Sequence, residues 1–271
     1  MKINSKKKIR SAIILCGGKG TRLGTLGKKI PKTLVKVQQK EILWYIINIL
    51  KYNKFNHIIL PLGYKKNLIK KFLKRNNNFY IDIDCIDTGL DSNIGKRISL
   101  VEKKIKSKNF LLLNGDAIFD INLDKIYKRH ENSKIDISFL STEIVYQYGT
   151  IGVLDNKIQD FKRDLVYDSL RIRGTVNYKA YNYSGMSIIN TLILKTYKKN
   201  YIKSKNFEND FFGRIIKRKK TKLIKSIGFW HSIDNMKDLY IVDKKAKNSL
   251  KFNQVNLIKN LLIKNNINRT L

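Results

Sequence analysis

Through the first half of the chain, short runs of consecutive apolar residues alternate with stretches in which apolar side chains recur every three or four positions. The runs suit strands buried on both faces, and the second spacing suits amphipathic helices. Ser11–Cys16 predicts a strand, Ile42–Tyr52 a helix, His57–Pro61 a strand and Lys65–Lys74 a helix with a lysine-covered face. Tyr80–Ile86 alternates as a strand, Lys96–Ile105 follows as a helix, and Phe110–Leu113 is a fully buried strand. Leu123–His130 and Ile135–Leu140 repeat the helix and strand once more. Such units, joined by right-handed crossovers, build an open, mainly parallel sheet with helices on both faces, and ligands bind outside the carboxyl ends of its strands. The expected class is α/β and doubly wound.

The second half is less regular. Thr150–Phe161 and Arg171–Tyr181 read as short strands in a hairpin or meander, followed by a strand at Gly185–Ile189 and helices near Leu192–Lys198 and Asn209–Lys217. A helix from Asn235 to Lys247 leads into a tail rich in Lys and Asn, where Leu257, Ile258, Leu261 and Leu262 have the spacing of an amphipathic helix for docking or dimer contact. With only two prolines and no Pro-, Gly- or Ser-rich linker, the chain is expected to form one catalytic domain over 9–245 and a helical tail over 246–271.

Composition narrows the classes. A chain of 271 residues, 42% hydrophobic, can bury a substantial core, and no run approaches the length of a membrane span. Cys16 and Cys85 each sit in an apolar stretch, so neither a disulfide framework nor a zinc site is suggested, and a reducing, cytoplasmic location is expected. The formal charge is +35, from 56 Lys and Arg against 21 Asp and Glu. Lysine is spread along the whole chain beside Asn and Ile rather than gathered in one arm, so no specific nucleic-acid partner and no membrane partner is expected. His57, His130 and His231 have no spacing that makes a metal site, and Trp44 and Trp230 read as core.

Chemistry enters with Gly17-Gly18-Lys19-Gly20-Thr21-Arg22-Leu23, directly after the first strand. Glycines there let the backbone approach a ligand and aim successive N–H groups at phosphate oxygens, while Lys19 and Arg22 add charge-assisted contacts. Pro31-Lys32 brings a second cation within loop reach of the same phosphates. Asn114-Gly115-Asp116 follows the strand Phe110–Leu113 and delivers a carboxylate, a hard oxygen donor suited to Mg²⁺, to the carboxyl end of the sheet.

These motifs resemble the sugar-1-phosphate nucleotidyltransferases, whose signature is GGxGTRL followed by a PK pair. The resemblance implies a Rossmann-like fold of nucleotide-diphospho-sugar transferase type, a mainly parallel mixed sheet with small β elements over the acceptor site. It also implies attack of an acceptor phosphate oxygen on the α-phosphorus of a nucleoside triphosphate with release of pyrophosphate. Carried over by position, Arg22 would hold the β and γ phosphates and Lys32 would stabilise charge at the α-phosphorus. Leu15, Gly17, Gly18, Gly20, Thr21, Thr88, Gly89, Asn114 and Gly115 would bind the nucleotide. Asp116 and Asp234, the latter within Gly228-Phe229-Trp230-His231-Ser232-Ile233-Asp234, would hold Mg²⁺.

Asp87-Thr88-Gly89 with Gly95 and Arg97, Glu41–Ile46 and Gly228-Phe229-Trp230 are similar to the glucose-1-phosphate cytidylyltransferase branch, which favours CTP; the hexose and heptose guanylyltransferases share the ILCGG and NGD patterns. The acceptor half departs from the family. Related enzymes carry F-x-E-K-P, whose lysine meets the acceptor phosphate, whereas Phe161 is followed here by Lys162, Arg163, Asp164 and Leu165. Lys162 or Arg163 is expected to serve that phosphate from a shifted position, with Asn182, Gly185 and Glu208 also on the acceptor. The acceptor is expected to be a sugar 1-phosphate or another phosphorylated small molecule, and the chain is a candidate homo-oligomer. The competing class is a nucleotide- or RNA-binding relative without transfer activity; intact Arg22, Lys32, Asp116 and Asp234 speak against it.

Overall fold

The computed structural model describes residues 8–145, 149–162, 166–167, 170–171, 179–225 and 228–247. Its first apolar run, β1 (Ser11–Leu15), lies inside a seven-stranded sheet, parallel to β4 (His57–Leu62) on one side and to β6 (Asn109–Asn114) on the other. Between them the chain forms α1 (Gly24–Lys29), a small hairpin of β2 (Lys36–Val37) and β3 (Lys40–Glu41), and α2 (Ile42–Tyr52). α3 (Lys66–Arg75) leads to the edge strand β5 (Asp82–Asp87), and α4 (Ile94–Val101) returns the chain to β6. Beyond β6 come β7 (Ala117–Ile121), α5 (Leu123–Glu131) and β8 (Ile137–Thr142).

Short antiparallel pairs follow β8. β9 (Ile144–Val145) pairs with β12 (Val166–Tyr167), β10 (Thr150–Leu154) with β11 (Lys157–Lys162), and β13 (Leu170–Arg171) with β14 (Lys179–Ala180). The chain then re-enters the main sheet as β15 (Asn182–Asn190), passes through α6 (Thr191–Thr196), α7 (Lys198–Tyr201) and α8 (Gly213–Ile216), and adds the edge strand β16 (Thr221–Lys225). It ends in β17 (Gly228–Ser232) and α9 (Met236–Lys247). The strand order is β16-β8-β15-β6-β1-β4-β5, with β15 antiparallel to both of its neighbours and the other pairings parallel.

The sheet is covered on both faces, as the unbroken apolar runs require. Within β1, Ala12 and Ile14 join a core cluster with α2, α3 and α5, while Ile13 between them joins a second cluster with α4, α6 and α7. The expected doubly wound α/β fold, with a mainly parallel mixed sheet, is thus present. Among the described residues no helix is long and apolar enough to cross a membrane.

The Thr150–Phe161 stretch forms a hairpin of short strands, turning where Asp155 and Asn156 take φ of 49° and 61°, the paired positive values of a tight hairpin turn. Three local expectations change. Tyr80 belongs to a one-turn segment, Asn77–Tyr80, in which every φ is positive, and the strand starts at Asp82. The expected helix Lys96–Ile105 is α4 followed by a 3₁₀ turn at Glu102–Lys104. β7 and β17, which pair with one another, had no predicted strand. Arg163 and the tail beyond Lys247, with Leu257, Ile258, Leu261 and Leu262, lie outside the described residues.

Candidate active site

A cleft of about 710 Å³ opens at the carboxyl ends of β1 and β6, where the predicted crossover fold places ligands. Leu15, Gly17, Gly18, Gly20, Thr21 and Arg22 form one wall. Gly17 is required by close approach: a Cβ there would stand 2.4 Å from Nη1 of Arg97. Arg97 is pinned, since its Nη1 donates to Thr88 Oγ1 (2.7 Å) and Gly89 O (2.8 Å), and its Nη2 to Leu90 O (2.9 Å). The buried guanidinium therefore fixes the segment that follows β5 and lies close against Gly17 of the glycine loop. The neighbouring Cys16 thiol is pushed up by burial and stays protonated.

Charged side chains converge within the cleft. Pro31, with φ of −62°, leads into a 3₁₀ turn that begins at Lys32. From this turn Lys32 Nζ reaches Asp116 Oδ2 at 2.7 Å and Asp234 Oδ1 at 2.8 Å. Arg22 Nη1 lies 3.1 Å from the same Asp234 oxygen. The two carboxylates meet because β7 and β17 form an antiparallel ribbon with Ala117 opposite Ser232, and Ile233 N donates to Asp116 O at 2.9 Å. Gly228 starts this ribbon at φ of 140°, and a Cβ on it would sit 2.1 Å from Asp120 O. Ser232 Oγ donates to Asp234 Oδ2 (3.1 Å), and Asp238 Oδ2, in the first turn of α9, accepts from Asp234 N (2.9 Å).

Burial alone would raise the Asp234 carboxyl; the Lys32 ammonium, with Arg22 and Ser232, outweighs it and holds the group below the usual carboxylate range. The Lys32 ammonium also occupies the point that both carboxylates share. Two Asp oxygens converging on one cation are a fitting pair of ligands for Mg²⁺. Among the described residues no group of three or more His, Cys, Asp or Glu side chains converges to hold a metal, here or elsewhere. A donor set of two carboxylates leaves the other positions to phosphate and water, as Mg²⁺ prefers.

Most of the sequence-predicted residues come together here, including Asn114, Gly115, Asp116 and Asp234. Thr88 and Gly89 do not line the cleft. Thr88 is buried, donates to Leu62 O and accepts from Arg97, so this pair acts behind the wall, and Leu90, Asp91, Ser92, Asn93 and Ile94 form its surface. The spacing from Asp87 to Arg97 located that segment without showing which of its residues faced inward.

The acceptor candidates are more dispersed. Lys162 ends β11, exposed and paired with Asp160 at 2.7 Å, and is not on the cleft wall. Asn182 and Glu208 line a second cavity, about 470 Å³, walled by Phe139, Tyr183 and Phe212, and burial pushes the Glu208 carboxyl up. Gly185, at φ of 72°, backs onto the Asn114 side chain and so connects β15 with the main cleft. His57 is buried between Ser11 and Asp84, burial lowers His130 to about 4, and His231 Nε2 lies 3.8 Å from Asp238 Oδ1. Trp44 is buried in the core, and Trp230 packs against it.

The sequence model for nucleotidyl transferases matches residues 11–249, nearly the whole described fold. The chain belongs to the nucleotidyl transferase family. This nucleotidyltransferase is 28% identical over 253 residues to the "Probable glucose-1-phosphate cytidylyltransferase" of Bacillus subtilis (strain 168), covering 86% of this chain and 94% of that one. It is 26% identical over 216 residues to the D-glycero-alpha-D-manno-heptose 1-phosphate guanylyltransferase of Aneurinibacillus thermoaerophilus, covering 77% and 86% of the two chains. Among solved structures, HddC from Yersinia pseudotuberculosis shares the fold with a TM-score of 0.64 at 22% identity, covering 88% of this nucleotidyltransferase and 99% of HddC.

Proposed function

We propose that the protein transfers a cytidylyl group from CTP to a sugar 1-phosphate, releasing pyrophosphate, with Mg²⁺ held by Asp116 and Asp234. The observation that carries this reading is the convergence of Lys32, Asp116 and Asp234 within 2.8 Å contacts beside a glycine loop. The loop from Gly17 to Gly20 offers backbone N–H groups to the triphosphate, and Arg22 adds charge toward its β and γ phosphates. Lys32 lies between the two carboxylates in the free protein and is read as the fixed cation that meets the arriving α-phosphate, where charge grows during transfer. An oxygen of the acceptor phosphate forms the new bond to the α-phosphorus as the bond to the β-phosphate bridging oxygen breaks, and pyrophosphate leaves. Bound Mg²⁺ would supply charge neutralisation and a template for the phosphates.

Cytosine is favoured by the Asp87–Arg97 segment and by the cytidylyltransferase relative. The guanylyltransferase relative makes GTP the alternative. The deciding experiment measures pyrophosphate release with CTP, GTP, UTP and dTTP separately, each against a panel of sugar 1-phosphates. Release with CTP and one sugar 1-phosphate is expected. Release with GTP alone would replace the base assignment, and triphosphate binding without release from any pair would favour a binding protein.

A further inference from the structure

The hairpin of β10 and β11 is a two-stranded sheet of its own, and one of its faces is bare and apolar. Pairing sets Ile151 opposite Phe161 and Val153 opposite Ile158. Cross-strand partners project to the same side, so the four side chains form one patch. They are 56%, 62%, 59% and 73% exposed in that order. An isolated two-stranded ribbon is marginal in water, and contiguous exposed apolar side chains mark a contact surface. The other side of the ribbon carries Lys157, Asp160 and Lys162 with their cross-strand partners.

Charge decides what covers the patch. The chain carries +35, so two copies repel across most of their surfaces. Residues 149–162 are different: their charged side chains are Asp155, Lys157, Asp160 and Lys162, which sum to zero. An RNA or an acidic protein would be drawn to the lysine-rich faces and would gain nothing from a neutral apolar ribbon. A second copy gains from it, because here apolar surface can be buried with the least repulsion and with no charge forced into the contact.

We propose that the Ile151, Val153, Ile158 and Phe161 face of the ribbon docks against the same face of a second copy, giving a two-fold dimer. Such an isologous contact is self-complementary and closes without forming a filament. Because the gain is hydrophobic and the opposing force is the repulsion of two basic bodies, added salt strengthens the dimer.

Sedimentation velocity on the full chain over a concentration series, at low and moderate salt, tests this. The wild-type chain is expected to pass from one to two copies with rising concentration, at lower concentration when salt is added. Ile158→Glu is expected to remain a single copy, and Ile151→Thr, which keeps a strand-forming residue, to dimerise at least about tenfold more weakly. Lys157→Glu on the opposite side is expected to dimerise like wild type. A wild-type chain that stays single at every concentration would overturn the proposal, as would an Ile158→Glu chain that folds and dimerises normally. Amide protection over residues 149–162 that does not change with concentration would also overturn it, since the cover would then come from the same chain.

Discussion

Lys32 is the residue on which the site turns. Its ammonium lies within 2.8 Å of both carboxylates, so in the free protein it competes with a divalent cation for Asp116 and Asp234. Lys32→Ala is therefore expected to bind Mg²⁺ more tightly than wild type in the absence of nucleotide, measured by titration calorimetry. The same variant should lose about 10² to 10³ in pyrophosphate release, the size expected when a fixed cation is removed from a developing charge. Weaker Mg²⁺ binding by Lys32→Ala would show that the lysine assembles the carboxylates rather than competing for them. Lys32 and Asp116 stood out in sequence behind Pro31 and Asn114-Gly115, whereas Asp234 was reached only through the family resemblance, by its place after Gly228-Phe229-Trp230. Arg97 was legible as part of a spacing, but its four carbonyl and hydroxyl acceptors are fixed only by the folded loop.

Between the elements, the β7 and β17 ribbon does the positioning. Gly228 opens it at φ of 140°, where a Cβ would meet Asp120 O at 2.1 Å. Gly228→Ala is expected to loosen the pairing and shift Asp234, raising amide exchange over Gly228–Ser232 and lowering turnover more than it lowers the unfolding midpoint. Unaltered exchange in that ribbon would contradict this. The long buried strands were visible because burial on both faces writes a continuous apolar run, as in Phe110–Leu113. The ribbon was not, because its strands are five residues each and place the acid Asp120 and the polar His231 and Ser232 among apolar neighbours. The hairpin over Thr150–Phe161 was expected without its turn being placed at Asp155-Asn156, because that pair lacks the glycine that usually advertises paired positive φ.

For the whole molecule, stability in acid depends on charges remote from the cleft. Burial would raise the Asp124 carboxyl, but Arg10, Lys54 and Lys128, at 2.6, 3.0 and 3.0 Å, outweigh it and hold the group well below its usual range. A carboxyl lowered on folding adds stability above its unfolded pKa of about 4, and that contribution is lost as pH falls toward the folded value. Asp124→Asn is expected to cost about 2 kcal/mol at neutral pH, with the difference from wild type shrinking below about pH 4. Thermal unfolding of both proteins across that range checks the sign, and a constant difference would contradict it.

Nucleotidyl transfer is assigned to one centre, and the most direct test of that assignment is the rate of pyrophosphate release by wild type and Asp116→Asn under identical Mg²⁺, triphosphate and acceptor concentrations. The predicted result is a loss of at least about 100-fold in Asp116→Asn, with an unfolding midpoint close to that of wild type. Equal rates from two folded proteins would contradict the assignment of the Asp116, Asp234 and Lys32 cleft as the site of nucleotidyl transfer.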